Sequence, residues 1–273
     1  MAVMGRARWR AARRVHSVAR TNDRASEAMS YDVICHLTTR YTIQDMDPSL
    51  KSEHWTAFLA MISMLLTGCA GVEARSDGRV SETVQFDSHE VGNAPRGFTT
   101  ALTGGGGPVA WVVREDPSAP GGKPVLVQES SDDTSYRFPL CIYDAVVARD
   151  VAVEVKFLPI SGKVDQAGGI VLRYRPENYY IARANALEDN VNLFKTVRGK
   201  RTKMEEVPVK VTSGQWHTIR FEAKGRRLKV VFDGKTLIET DDASFSEPGK
   251  VGLWTKADSV SAFSNFKVET PSE

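Results

Sequence analysis

Cysteine is scarce in this chain. Three in 273 residues, at Cys35, Cys69 and Cys141, are too few for a disulfide framework. Cys141 sits among apolar neighbours in "FPLCIYDA", with no histidine or basic cluster beside it in sequence. That pattern marks a buried, inert thiol rather than a nucleophile. Charge of one sign is also missing. The formal net charge is +2; residues 1–68 carry nine Lys+Arg against six Asp+Glu, leaving 27 against 28 for residues 69–273. The main body therefore offers no basic excess, and no nucleic-acid partner is expected. Helical periodicity over three turns is absent after residue 72, and no tandem repeat occurs. No phosphate-binding glycine loop, zinc spacing or nucleophile triad stands out. What remains is a composition of 41% hydrophobic and 26% charged residues, that of a globular protein with a sizeable core.

The uncharged, mostly apolar run from Trp55 to Leu66 spans twelve residues. It is shorter than the roughly 20 residues of a membrane-spanning helix. It matches the roughly 7–15-residue core of a secretory signal. It ends in Leu66-Thr67-Gly68-Cys69, which resembles a bacterial lipoprotein box, where the cysteine is lipidated and becomes the new N-terminus. Cys69 is accordingly the expected lipidation site and membrane contact. Ala70 follows it rather than an aspartate, which by the same resemblance permits outer-membrane sorting. The segment lies far from Met1, so residues 1–45 read as a non-native or disordered extension, with translation beginning near Met46. The expected organisation is that extension, a signal segment at 46–69, a tether at 70–82 and one domain over 83–270.

Within that domain nearly every segment reads as strand or turn. "VAVEVKFLP" (151–159), "GIVLRYR" (169–175), "NYYIARAN" (178–185), "NVNLFKTV" (190–197), "WHTIRFEAK" (216–224), "LKVVFDGKTLIET" (228–240), "KVGLWTKA" (250–257) and "SAFSNFKVE" (261–269) mostly alternate apolar and polar side chains. Asp233-Gly234 is a strong hairpin signal. "VRGKRTK" (197–203) reads as a charged hairpin loop. Many short strands at near-regular spacing predict an all-β fold: an antiparallel β-sandwich or jelly roll, preceded by a disordered or signal-helix N-terminus.

Three stretches together, "SGKVDQAGGIVLRYRPENYYIARANALEDNVNLFKTVRGKR", "GQWHTIRFEAKGRRLKVVFDGK" and "GKVGLWTKADSVSAFSNFKV", resemble a family of bacterial secreted and lipid-anchored proteins. These have a concanavalin A-like lectin/glucanase sandwich and carry 3-keto-disaccharide hydrolase-like domains. The resemblance covers roughly residues 83–270. It implies the fold and a carbohydrate partner, and only weakly an activity, since one fold hosts many functions. The Glu-x-Asp-x-x-Glu strand of family 16 glucanases is absent, which excludes that mechanism.

Strand parity selects the candidate site. Tyr179, Ile181, Arg183 and Asn185 fall on one face of their strand; Val171, Arg173 and Arg175 fall on one face of the preceding strand. Asn192 and Phe194 share a face of the next, and Trp254 and Lys256 share another, with Asp258 just beyond. Arg173, Tyr179, Arg183, Asn185, Asn192, Trp254, Lys256 and Asp258 are the expected ligand-binding set. Aromatic rings pack on pyranose faces, and amides and guanidinium groups fork to vicinal hydroxyls. The same residues also fit a solvated outer face with a polar hairpin at 186–190, and the sequence leaves both open. Asp165 and Gln166 line the same cleft or form a simple turn. His217 reads as a strand residue. No cofactor is expected; the pairs Asp132-Asp133, Asp189-Asn190 and Asp241-Asp242 leave calcium open as a ligand, although none shows a recognisable loop spacing. Three functions compete: a carbohydrate-binding envelope lipoprotein, expected as a monomer; an enzyme acting on 3-keto glycosides with Glu188 as base; and a structural envelope protein.

Overall fold

The computed structural model describes residues 79–86 and 91–271. The expectations for residues 1–45, for the signal segment and Cys69, and for the tether up to residue 78 lie outside the described residues. Fifteen strands follow one another among the described residues: β1 (Arg79–Val84), β2 (Phe98–Gly104), β3 (Trp111–Arg114), β4 (Val125–Gln128), β5 (Arg137–Ala148), β6 (Val151–Ser161), β7 (Ala167–Arg175), β8 (Asn178–Asn185), β9 (Asn190–Val197), β10 (Lys200–Pro208), β11 (His217–Lys224), β12 (Arg227–Phe232), β13 (Lys235–Asp241), β14 (Gly249–Thr255) and β15 (Val260–Pro271). Residues 79–82, expected as the end of the tether, belong to β1, which pairs with the end of β15.

The strands form two antiparallel sheets, as predicted. One runs β13-β12-β11-β6-β15-β4-β3 with β1 beside β15; the other runs β10-β9-β8-β7-β14-β5-β2. Between them lies the main core. Val151, Val153, Val155 and Phe157 of β6 and Ile219, Phe221 and Ala223 of β11 face Leu172, Tyr180, Ala182, Leu193 and Leu253 of the opposite sheet. Period-2 alternation puts each set on one side. The Asp233-Gly234 turn forms as read, with φ of 46° and 77° at the two positions. On the outer face of the first sheet, Arg220 bridges Glu222 at 2.6 Å and Glu269 at 2.7 Å.

Two β-bulges break the alternation. In β15 the register shifts between Ser264 and Lys267, with Asn265 at φ 53°, so that Phe263 and Phe266 both enter the core. In β7 it shifts after Leu172, with Arg173 at φ 52°.

The second sheet is rolled. Tyr179 on β8 donates its hydroxyl proton to Thr103 Oγ1 on β2 at 2.8 Å. Four strand spacings separate β8 from β2, on the order of 19 Å in a flat sheet, beyond the reach of these side chains. Tyr136, just before β5, donates to the carbonyl of Gly199 at 2.9 Å and accepts from the Arg201 amide at 2.8 Å, so the β9–β10 turn meets the β4–β5 loop. The inside of the roll holds a second core of Phe138, Leu140, Val171, Tyr179, Ile181, Phe194 and Trp254.

The Arg220 hydrogen bond holds the Glu269 carboxyl down at about 2. A depressed folded-state value adds stability above the unfolded carboxylate range, and that stability is lost as pH falls toward 2. Glu269→Gln is expected to be less stable than wild type at pH 7. Denaturant titrations at pH 7, 4 and 2.5 should show the gap narrowing at each step.

Candidate functional site

Register aligns the inner face of the roll in rows. One row runs Glu206 (β10), Asn192 (β9), Arg183 (β8), Gly169 (β7), Trp254 (β14), Leu140 (β5) and Ala101 (β2), each paired with the next. The next runs Pro208, Asn190, Asn185 and Ala167. Four of the expected residues, Arg183, Asn185, Asn192 and Trp254, therefore stand on one concave face. Tyr179 shares it but serves the second core through its bond to Thr103.

Arg183 is buried. Its Nη1 donates to Asn190 Oδ1 at 2.9 Å and its Nη2 to Glu188 Oε2 at 2.6 Å, while Nε has no partner. Glu188 comes from the β8–β9 turn, where Asp189 takes φ 49°. Burial pushes the Glu188 carboxyl up, but the Arg183 bond and charge outweigh it, and the net shift is downward. Asn192 Nδ2 donates to Glu206 at 3.2 Å; its Oδ1 has no partner. Trp254 stacks on Phe138 with centroids 5.6 Å apart, and its Nε1 is also without a partner. Gly169 sits between Arg183 and Trp254. A Cβ there would come within 2.8 Å of Arg183 Cβ and also collide with the Ala182 carbonyl oxygen.

Asp165 is fully buried at the end of these rows, where Lys256 and Asn185 Nδ2 both donate to it, the latter at 2.7 Å. Burial raises its carboxyl above the usual value despite Lys256. Asp258 does not face the roll. Its carboxylate accepts from the amides of Lys163 at 2.6 Å, Val164 at 3.1 Å and Asp165 at 3.0 Å, fixing the loop that carries Asp165.

Arg173 departs from its expected face. The bulge turns it away from Val171 and puts Tyr174 there instead, 5.5 Å from the Tyr179 ring. Arg173 donates to the carbonyls of Arg149, Phe245 and Gly225 at 2.7–2.8 Å, tying loops rather than lining the cleft. His217 is likewise held by Asp233 at 2.7 Å and by the Thr212 backbone. No group of three potential metal ligands converges among the described residues. Asp132 caps the amides of Gly107 and Thr134, and Asp242 binds Lys195 and Tyr180.

Sequence reasoning missed Arg201. Its segment reads as a loop, yet β10 begins at Lys200 after a turn in which Arg198 and Gly199 take φ 48° and 74°. Its guanidinium lies over three rings of the roll, 4.3 Å from Phe194, 4.5 Å from Phe138 and 5.6 Å from Trp254. The Arg198-Gly199 pair between two strand-like runs is the signal that could have placed it.

A sequence profile for the galactocerebrosidase C-terminal lectin domain matches residues 143–271, under half of the chain. The levanase of Bacillus subtilis (strain 168) is 30% identical over 108 residues, which are 38% of this chain and 15% of that protein. This chain thus spans only a small part of that relative. The solved carbohydrate-binding module CBM66 from Bacillus subtilis superposes with a TM-score of 0.51 at 24% identity, covering 64% of this chain and 96% of the module. That likeness shows a shared two-sheet sandwich fold.

Asp258→Ala removes the acceptor for three loop amides. Of these only the Asp165 amide is buried, and leaving it unpaired costs about 1–3 kcal/mol. Urea denaturation should show a loss of that order, and hydrogen exchange should rise at residues 163–165 first.

Proposed function

We propose that the sandwich is a carbohydrate-binding module whose site is the concave face of the rolled sheet. One observation carries this reading. Asn192, Arg183 and Trp254 stand in a single cross-strand row, and each holds a buried polar atom with no partner: one acceptor and two donors. Such atoms are costly unless something pairs with them, and saccharide hydroxyls both donate and accept. Gly169 between Arg183 and Trp254 lets the two strands approach closely, which keeps those two side chains in one row. The similarities to a carbohydrate-binding module, a levanase and a lectin domain support the same reading.

The carboxylates favour binding over turnover. Glu188 and Glu206, at the mouth, are both held below the usual range by their cationic neighbours, so neither is a proton donor at neutral pH. Glycoside hydrolysis needs such an acid. Burial raises the Asp165 carboxyl, but Asp165 is buried against Lys256 and Asn185, which both donate to it. An enzyme acting on 3-keto sugars with Glu188 as base is the second reading; turnover of 3-keto disaccharides, abolished in Glu188→Gln with affinity kept, would favour it.

Calorimetric titration across a panel including levan and galactosides tests the site. Arg183→Lys keeps the charge but removes the Nε donor and the planar fork. It should weaken the best ligand about 10- to 100-fold, while the loss of its bonds to Asn190 and Glu188 is read separately as a fall in melting temperature. Unchanged affinity would place the ligand elsewhere.

We further propose that the module is held at the bacterial envelope, on the outer-membrane side, by a lipid on Cys69. The apolar run before Leu66-Thr67-Gly68-Cys69 supports this. Radiolabelled palmitate should enter the wild-type chain in the native host and fail to enter Cys69→Ala.

A further inference from the structure

The charges around the concave face do not balance. Arg183, Lys256 and Arg201 gather there against two partnering carboxylates, Glu188 and Asp165. Glu188 neutralises Arg183 and Asp165 neutralises Lys256. Glu206 at the rim is engaged by Lys203 at 2.6 Å. Arg201 makes no ion pair among the described residues; its guanidinium rests on Phe138, Phe194 and Trp254 alone. Burial, and after it the nearby Arg183 charge, disfavour its protonated form, and the more distant Asp165 carboxylate offsets them only in part. Ring contacts offset only part of what desolvation takes from such a cation.

The unpartnered donors sit with this excess charge. Arg183 Nε, Arg201 Nη1 and Trp254 Nε1 are three buried N–H groups without acceptors, in side chains that share the concave face. Arg183 lies 5.6 Å from the centroid of the Phe194 ring on which Arg201 also rests, so the two guanidinium groups flank one aromatic residue. A neutral hydroxyl would satisfy a donor but leave the charge. A planar anionic group would satisfy several donors and the charge together, because guanidinium forks match its oxygens.

We propose that the ligand is an acidic saccharide, carrying a carboxylate or sulfate that docks against Arg201, Arg183 and the Trp254 indole. This rests on the carbohydrate-binding reading and narrows its ligand class. The chain's main body carries 27 basic against 28 acidic residues, so general attraction to polyanions does not produce the preference. Local charge at the site does. Arg201 supplies the selectivity for the acid, and Asn192 and Glu188 supply the contacts to hydroxyls.

A glycan array of matched pairs tests this, each uronate- or sulfate-bearing glycan beside its carboxyl-reduced or desulfated counterpart, with affinities then measured by calorimetry on the purified chain. The acidic member of the best pair should bind at least tenfold tighter than its neutral twin, and whether that pair is uronate or sulfate identifies the group. Arg201→Gln should reduce the preference to within about twofold. Arg201→Lys should retain most of it, which separates lost charge from lost packing. Raised salt should shrink the wild-type preference. Equal affinity within every pair, or a preference untouched by Arg201→Gln, would overturn the acidic ligand and leave neutral carbohydrate binding standing. No binding to any glycan would overturn both.

Discussion

The roll of the seven-stranded sheet depends on a few hydroxyl contacts across its hollow. Tyr136 joins the β9–β10 turn to the β4–β5 loop, and Tyr179 reaches over the sheet to Thr103. These bonds hold strands that are far apart in sheet order close enough for one guanidinium to lie over Phe194 and Trp254 at once. A flat sheet with the same sequence would spread Asn192, Arg183 and Trp254 over separate solvated spots. Curvature gathers a row of register partners around the second core.

Much of this architecture was legible in the residues, and the failures have physical causes. β8 and β9 form over the segments that alternation marked, 178–185 and 190–197, and parity placed Arg183, Asn185 and Asn192 together because neither strand is bulged. The same parity failed one strand earlier. A single residue at positive φ, Arg173, reverses the alternation, and an arginine gives no sign that it will adopt that conformation. β5 escaped notice because its first half is buried on both faces and reads as a continuous apolar run. β10 escaped for the opposite reason, since an edge strand with polar side chains on both faces has no apolar period to detect. Arg201 was hidden with it.

The two cores explain how a polar cleft coexists with a well-packed domain. The space between the sheets is filled mainly by valine, phenylalanine, leucine and isoleucine, from side chains other than those of the concave face. That face can therefore carry unpaired donors without loss of the fold. Their cost is local and recoverable when a partner arrives. Asp258 plays a supporting part by fixing the loop on which Asp165 meets Lys256, so a residue expected at the ligand instead sets the position of groups that face it.

The floor of the cleft at Gly169 is backbone, hemmed in by the Ala182 carbonyl and the Arg183 main chain. Any side chain placed there would have to push a neighbouring strand aside. Change on this face is thus confined to its rim, at the 186–189 and 198–199 turns or along β10, while the base of the roll stays as it is. The loops could be exchanged over a fixed plate, the way an adjustable wrench alters its jaw and never its handle.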